Sequence, residues 1–588
     1  MTRLAIVRKE NCKGGIDCPF LCMSACPVNR TGKECITKIN KDAKESKIQI
    51  DETLCIGCGI CVKRCPFDAI SIINLPEELK KQPIHRYGQN GFALYSLPIP
   101  LFGKVVGIVG RNGIGKSTAV KILAGVQKPN LGTNEEKNFD ELVKFFKGTE
   151  AQLFFEKLRD GQVRASYKIQ NVEAIPKHYS GTVRELLQRA DEKGILEEVS
   201  KKLVLTKIMD SDISKISGGE LQRVAIAAAS LKRANLYIFD EPSSFLDVKE
   251  RIRVARFIRE LADEHTAVIV VEHDLIILDY MTDLISIMYG KQGIFGTISM
   301  PKSTRVGLNI FLEGFLREEN IKFRDYPIRF FSKPPADIKR QAELLSWIGI
   351  RKTLGRFSLS SDSGTLYLHQ TVGVLGENGI GKTTLIKIFA GVEKADEGSI
   401  SKNVTVSYKP QSLSVDSEKL VYEVLRDAVE KHSPELINPL ELNNLMTKKL
   451  SQLSGGELQR VAIAECLSRR ADLYLLDEPS AYLDVEQRLA AAKVIRDFAE
   501  KTGATILVVD HDLMFIDYLA ERLIVFSGTP AVEGRASEPL SMRDGMNSFL
   551  TDLGITLRRD IETMRPRINK EDSRKDREQK AEGKLYYE

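Results

Sequence analysis

The chain contains no run of 18 or more apolar residues, so the sequence offers no membrane-spanning helix. Its first residues, MTRLAIVRKENC, lack the long apolar segment of a secretory signal, and the protein is expected to be cytoplasmic. It has little excess charge: 86 Lys and Arg face 80 Asp and Glu, a net of +6. Total charge therefore gives no argument for nucleic acid, although a local basic patch remains open. Cysteine is nearly absent beyond residue 65: nine of the ten lie between Cys12 and Cys65. Without an export signal, such crowding favours metal over disulfides. At 588 residues, 43% apolar and 28% charged, the chain reads as globular and too long for a single core.

What is present is a repeat. GRNGIGKST at 110–118 returns as GENGIGKTT at 376–384, and ISGGELQRVAIA at 216–227 as LSGGELQRVAIA at 453–464. LYIFDEPSSFLD at 236–247 returns as LYLLDEPSAYLD at 473–484, and VVEHDL as VVDHDL. Lys116 and Lys382 are 266 apart, but Ser217/Ser454 and Asp240/Asp477 are 237 apart, so the first lobe carries 29 extra residues, 25 of them before Gln170. Residues 130–161, with NFDELVKFFK and EAQLFFEKLRD at helical spacing, are expected to form a helix–loop–helix insertion. Thr149 and Gln152 are positioned for a capping box on its second helix.

The GxxxxGK[ST] pattern needs glycine so that backbone N–H groups can cradle phosphate. It nominates Gly110, Asn112, Gly113, Gly115, Lys116, Ser117 and Thr118, and again Gly376, Asn378, Gly379, Gly381, Lys382, Thr383 and Thr384. The lysines reach phosphate, and Ser117 and Thr383 suit Mg²⁺. Asp240 and Asp477, at the ends of apolar strands, also suit the Mg²⁺ shell, with Glu241 and Glu478 beside them as bases. His273 and His511 follow further apolar strands, within reach of a γ-phosphate. SGGELQR, at Ser217, Gly218, Gly219 and Glu220 and at Ser454, Gly455, Gly456 and Glu457, resembles the signature motif of ABC ATPases.

That resemblance implies two composite sites, one pairing Lys116 and Glu241 with Ser454 and Gly456, the other Lys382 and Glu478 with Ser217 and Gly219. Gln170 and Gln411 fit the family's Q-loops, and Asp247 and Asp484 join the nucleotide-site set. Tyr87 or Phe92 would stack on adenine in lobe one, and Phe357 is the weaker choice in lobe two.

CIGCGICVKRCP, with Cys55, Cys58, Cys61 and Cys65, has the spacing of a bacterial 4Fe–4S ferredoxin. A looser run upstream holds Cys12, Cys18, Cys22 and Cys26. The ferredoxin pattern implies one cluster on Cys55, Cys58, Cys61 and Cys26, and another on Cys12, Cys18, Cys22 and Cys65. Zinc is the alternative for such cysteines. Cys35 is left over, and Cys466 is expected to be a small core residue.

Two ABC lobes behind a double-cluster module resemble the ABC-E family, the iron–sulfur ATPases that split ribosomes. The implied fold is α/β: tandem P-loop ABC ATPase domains arranged head-to-tail, preceded by a small α+β ferredoxin-like domain with two clusters. The implied division is 1–75 for the cluster domain, 76–299 and 346–530 for the lobes, 300–345 and 531–588 for two hinge pieces, the last ending in a charged tail expected to be mobile. The implied activity is ribosome recycling driven by hydrolysis of ATP with Mg²⁺. The implied partners are the small ribosomal subunit and its RNA, a release factor or Pelota-type factor, and initiation factors, with the protein monomeric. The hinge arginines would suit rRNA phosphates. The competing readings are a transporter ATPase subunit, an ATP-driven electron-transfer enzyme and a non-hydrolysing scaffold.

Overall fold

The structure, a computed structural model, describes residues 3–40, 45–74, 82–133, 135–330, 342–401, 404–411 and 418–586. The expected boundary between the cluster domain and lobe one, most of the linker between them, and residues 331–341 of the first hinge piece lie outside the described residues.

Five parallel strands form the centre of lobe one. In spatial order they are Ala165–Lys168, Leu236–Asp240, Ala267–Val271, Val105–Val109 and Leu284–Lys291. The middle three are buried at every position. Continuous apolar runs, not alternation, are what a parallel sheet covered on both faces demands. Lobe two repeats the order with Val406–Lys409, Leu473–Asp477, Thr505–Val509, Thr371–Leu375 and Arg522–Thr529. Because these strands run the same way, the loops that follow them meet at one sheet edge, where ligands of open α/β sheets bind.

In residues 130–161 the structure places helices Phe139–Phe145 and Glu150–Arg159, packed through Phe146 stacked on Phe155 at 5.1 Å. The capping box falls on the other helix: Asn138 and Glu141 bond reciprocally. At Thr149 none forms, because Gly148, at φ 80°, turns its own N–H onto Gln152 Oε1, and the Thr149 hydroxyl donates back to Phe146 O.

At the N-terminus, Arg3–Val7 pairs antiparallel with Ile70–Asn74, and Ile36–Lys38 with Ile48–Ile50. Five of the twelve buried residues of the main apolar cluster there are cysteines. Asn90 locks this unit to lobe one. Its side chain donates to Ala5 O and Ile50 O at 2.9 and 3.0 Å and accepts from Ile50 N at 2.8 Å. Arg86 adds a bidentate pair with Glu52.

The hinge pieces correct two expectations. The charged C-terminal stretch is ordered: Ser573 caps a helix at Arg574–Glu582, and Leu585 and Tyr586 are buried. It is anchored by Leu557 N donating to Leu585 O, the Tyr586 hydroxyl to Asp517 Oδ1 at 2.6 Å, and the Thr556 hydroxyl to Asp576 Oδ1 at 2.7 Å. Several hinge arginines expected to meet RNA are instead engaged within the protein, while Arg317 and Arg329 are exposed. The hairpin Leu557–Arg559/Pro566–Ile568 sends Arg565 and Arg567 to Asp279 of lobe one and Arg559 to Asp517 of lobe two. Arg305 bonds Asp560 and Glu562, and Arg324 is buried on Glu486. The long strand Glu343–Leu354 runs across the expected start of lobe two at 346.

Candidate nucleotide and cluster sites

In each lobe a glycine loop joins a buried strand to a helix that begins at the lysine, Lys116–Leu123 and Lys382–Phe389. Gly115 adopts φ 93°, and a Cβ there would sit 2.5 Å from Phe92, so only glycine fits. Lys116 Nζ donates to the carbonyls of Gly110 and Arg111 at 2.8 and 2.7 Å, and Lys382 Nζ to those of Gly376 and Glu377. Burial lowers both lysines, Lys382 to about 8, against the pull of nearby carboxylates.

Asp240 and Asp477 end their strands fully buried. One oxygen of Asp240 and both of Asp477 have no hydrogen-bond partner. Buried orphan carboxylate oxygens call for a cation, and the Ser117 and Thr383 hydroxyls stand beside them, so the residues fit Mg²⁺. Burial, aided by the adjacent glutamate, raises both acids, Asp477 to about 6.

Glu241 and Glu478 occupy the left-handed region, φ 48° and 47°, which costs a non-glycine residue roughly 1–3 kcal/mol. Four buried side chains that sequence reasoning missed hold them there. Gln222 donates to Glu241 O at 2.7 Å, and Lys168 to Asp240 O and Glu241 O at 2.9 and 3.2 Å. Gln459 and Lys409 do the same in lobe two. Their appearance in both copies, YKIQ/YKPQ and ELQR/ELQR, was the available signal. The carboxylates meet the expected partners: Gln170 and Gln411 donate to Glu241 and Glu478 at 2.7 and 2.8 Å, and His273 and His511 stand 3.5 and 3.6 Å away. Burial opposes ionisation of Glu478, but His511 first, then Lys382 and Gln411, outweigh it and hold the carboxyl low.

Ser217 and Ser454 cap their helices through reciprocal boxes with Glu220 and Glu457. Across the lobes, Asp484 Oδ2 accepts from Asn112 N at 2.8 Å and Asp247 Oδ2 from Asn378 N at 2.9 Å. Each phosphate loop is thus bonded to the opposite lobe. Tyr87 is 49% exposed, its hydroxyl 3.1 Å from Thr118 Oγ1, while Phe92 and Phe357 pack under the glycines of their loops.

The cysteines separate into two groups. Cys26, Cys55, Cys58 and Cys61 line one cavity with Ile36, Ile50 and Ile56; Cys12, Cys18, Cys22 and Cys65 line another with Ile48 and Phe67. Cys35 joins the first group, its thiol pushed up to about 12 by burial and by Cys26 and Cys55. Cys22 is likewise pushed up to about 12, and Cys61 to about 11, chiefly by burial. Four or more thiols in apolar surroundings fit the donor set of an iron–sulfur cluster, while among the described residues no three potential ligands are arranged for a single ion. Cys466 is buried against Ser407, as expected of a core residue.

A phosphate loop, paired acids, glutamine and histidine on one parallel-sheet edge, twice in one chain, define a tandem ABC-type ATPase. Residues 101–244 and 359–481 match the family described as ABC transporter, and 48–71 match the 4Fe-4S binding domain. The chain is 45% identical over its whole length to ABC transporter E family member 1 of Arabidopsis thaliana, covering 99% of it, and 43% identical to Translation initiation factor RLI1 of Saccharomyces cerevisiae, covering 98%. A solved structure described as ribosome-bound archaeal Pelota and ABCE1 superposes with TM-score 0.92 at 50% identity, over 100% of this chain and 99% of that one. A complex of archaeal ribosomal stalk protein aP1 with ribosome recycling factor aABCE1 gives 0.83 at 50% identity, over 86% of this chain and 99% of that one. The chain belongs to the ABC-E family. It is an ATPase that uses ATP and Mg²⁺ and carries 4Fe–4S chemistry.

Proposed function

We propose that this protein is an ATP-driven ribosome recycling factor that separates ribosomal subunits after termination or rescue. Full-length similarity to the Pelota-bound ABCE1 structure supports this reading, as does kinship with initiation factor RLI1. Release factor or Pelota, the small subunit and its RNA, and initiation factors are its partners, and the cytoplasm its location. Among the described residues no helix is long and apolar enough to cross a membrane.

The observation that carries the mechanism is the pair of cross-lobe bonds, Asn112 to Asp484 and Asn378 to Asp247. Each composite site is shared, Lys116 and Glu241 with Ser454 and Gly456, Lys382 and Glu478 with Ser217 and Gly219. The loop N–H groups and lysine hold phosphate, Asp240 or Asp477 holds Mg²⁺, and Tyr87 with Phe92, or Phe357, faces adenine. Glu241, fixed by Gln170 and His273, orients and deprotonates water; Glu478 does so with Gln411 and His511. Clusters on Cys26, Cys55, Cys58 and Cys61, and on Cys12, Cys18, Cys22 and Cys65, supply cross-links where the core is too small to hold itself. The lobes span 76–299 and 346–530, with 300–345 and 531–588 as hinge pieces.

Mixing anaerobically purified protein and Pelota with assembled ribosomes tests the reading. Subunits should appear with ATP or a non-hydrolysable analogue and not without nucleotide. Whole ribosomes, despite intact clusters and ATPase activity, would overturn it.

A further inference from the structure

The two phosphate loops differ in the sign of one residue. Lobe one has Arg111 where lobe two has Glu377. The helix that follows each cross-lobe aspartate differs in the opposite sense, Glu486 in lobe two against Lys249 in lobe one. The structure joins these four residues as two struts. Arg111 Nε lies 3.2 Å from Glu486 Oε2, and Lys249 Nζ lies 2.7 Å from Glu377 Oε1. Pairing lobe one with lobe one of a second copy would set Arg111 against Lys249. Pairing lobe two with lobe two would set Glu377 against Glu486. Only unlike lobes are complementary, and the discrimination comes from repulsion as much as attraction.

The struts also differ in surroundings. The Lys249 and Glu377 side chains are 40% and 31% exposed, and solvent screens such a pair. The Glu486 side chain is only 6% exposed, and it takes a second cation, Arg324 Nε at 3.3 Å. Arg324 belongs to the first hinge piece and is itself buried. It donates to the carbonyls of Phe311 and Leu312 and lies over the rings of Phe311 and Phe323. Arg111 reaches a further acid of lobe two, Glu441 Oε1 at 3.2 Å; the corresponding position of lobe one is Val204. Two residues before Glu486, Asp484 accepts from Asn112 N. Arg324 and Glu486 thus form a buried hinge-to-helix pair behind Arg111, whose own side chain is 38% exposed, whereas the Lys382 loop is met by a pair exposed on both sides.

We propose that Arg324 is a positioning residue that makes closure of the Lys116 site depend on the seating of the first hinge piece and leaves closure of the Lys382 site independent of it. The proposal rests on the composite-site reading above. Full-length protein with intact clusters tests it in two parents, E241Q and E478Q, which should retain unhydrolysed ATP at the Lys116 and Lys382 sites respectively. Retention after rapid gel filtration is read with and without R324A. The expected result is a roughly tenfold loss in the E241Q parent, the size of a coupling between charges in contact, and no loss in the E478Q parent. R324K should restore part of it. E486Q, which keeps the side-chain volume, should reproduce the selective loss should R324A fail to fold. Equal loss in both parents, or loss in neither, overturns the relay and leaves the composite sites standing. Absence of retention in both parents overturns the composite reading and the relay with it.

Discussion

Glu241 and Glu478 show how a catalytic side chain can depend on bonds made to its own backbone. The left-handed turn that aims each carboxylate is secured at its carbonyl by a glutamine of the signature helix and a buried lysine. Replacing Gln222 and Gln459 with methionine should therefore lower kcat by one to two orders of magnitude, roughly the effect of a 1 Å misplacement, while KM for ATP stays near its starting value. A rise in KM with kcat unchanged would place these glutamines in ATP binding instead. The raised acids make a separate prediction. Asp477 is pushed up to about 6, so protons compete with Mg²⁺ as pH falls through that value. The direction follows from the acid form being the one that burial favours. Mg²⁺ affinity at the Lys382 site, measured by titration in the E478Q protein, should hold steady above neutral pH and fall about tenfold per unit below 6. An unchanged affinity at pH 5 would show that Asp477 is ionised there.

At the scale of elements, the C-terminal helix and its anchors act as a buttress for the hinge hairpin. Truncation after Asn569 removes Leu585 and Tyr586 from the core and strips the Tyr586 hydroxyl from Asp517. A loss of about 3 kcal/mol is expected, read as a lowered thermal midpoint. A midpoint unchanged within error would return the tail to the mobile surface. This helix was not legible in the sequence because its own composition is so polar. What orders it is Leu585 and Tyr586 at its far end and the bonds of Asp576 and Gln579 to the hairpin side, and composition averages such residues away. The central sheets were legible for the opposite reason, since LYIFD and LYLLD are apolar throughout and recur with their acids. The site was legible wherever side chains face ligand and illegible wherever they face backbone, as with Lys168 and Gln222, or another lobe, as with Arg111. The thiols grouped as the ferredoxin pattern implied, but the place of Cys35 beside Cys26 and Cys55 depends on tertiary packing that spacing does not carry.

For the whole molecule, the cluster domain and the hinge hairpin set how motion is transmitted. With five cysteines among the twelve buried residues of its main apolar cluster, the cluster domain lacks a sufficient apolar core. Anaerobic chelation of iron from the full chain should melt residues 3–74, seen as new protease cuts there, while ATPase activity of the lobes persists. Protection of that region after iron loss would show that the fold outlives its clusters. The hairpin holds Asp279 and Asp517, equivalent aspartates of the two lobes, through Arg565, Arg567 and Arg559 on one short ribbon. Fastening both lobes to one ribbon would favour a turn about it once the cross-lobe contacts at the phosphate loops part. Any small advance at the phosphates then grows with distance from that axle. Because Asn90 ties the cluster domain rigidly to lobe one, the domain is the long end of a lever, exchanging the short, forceful stroke of the nucleotide sites for reach.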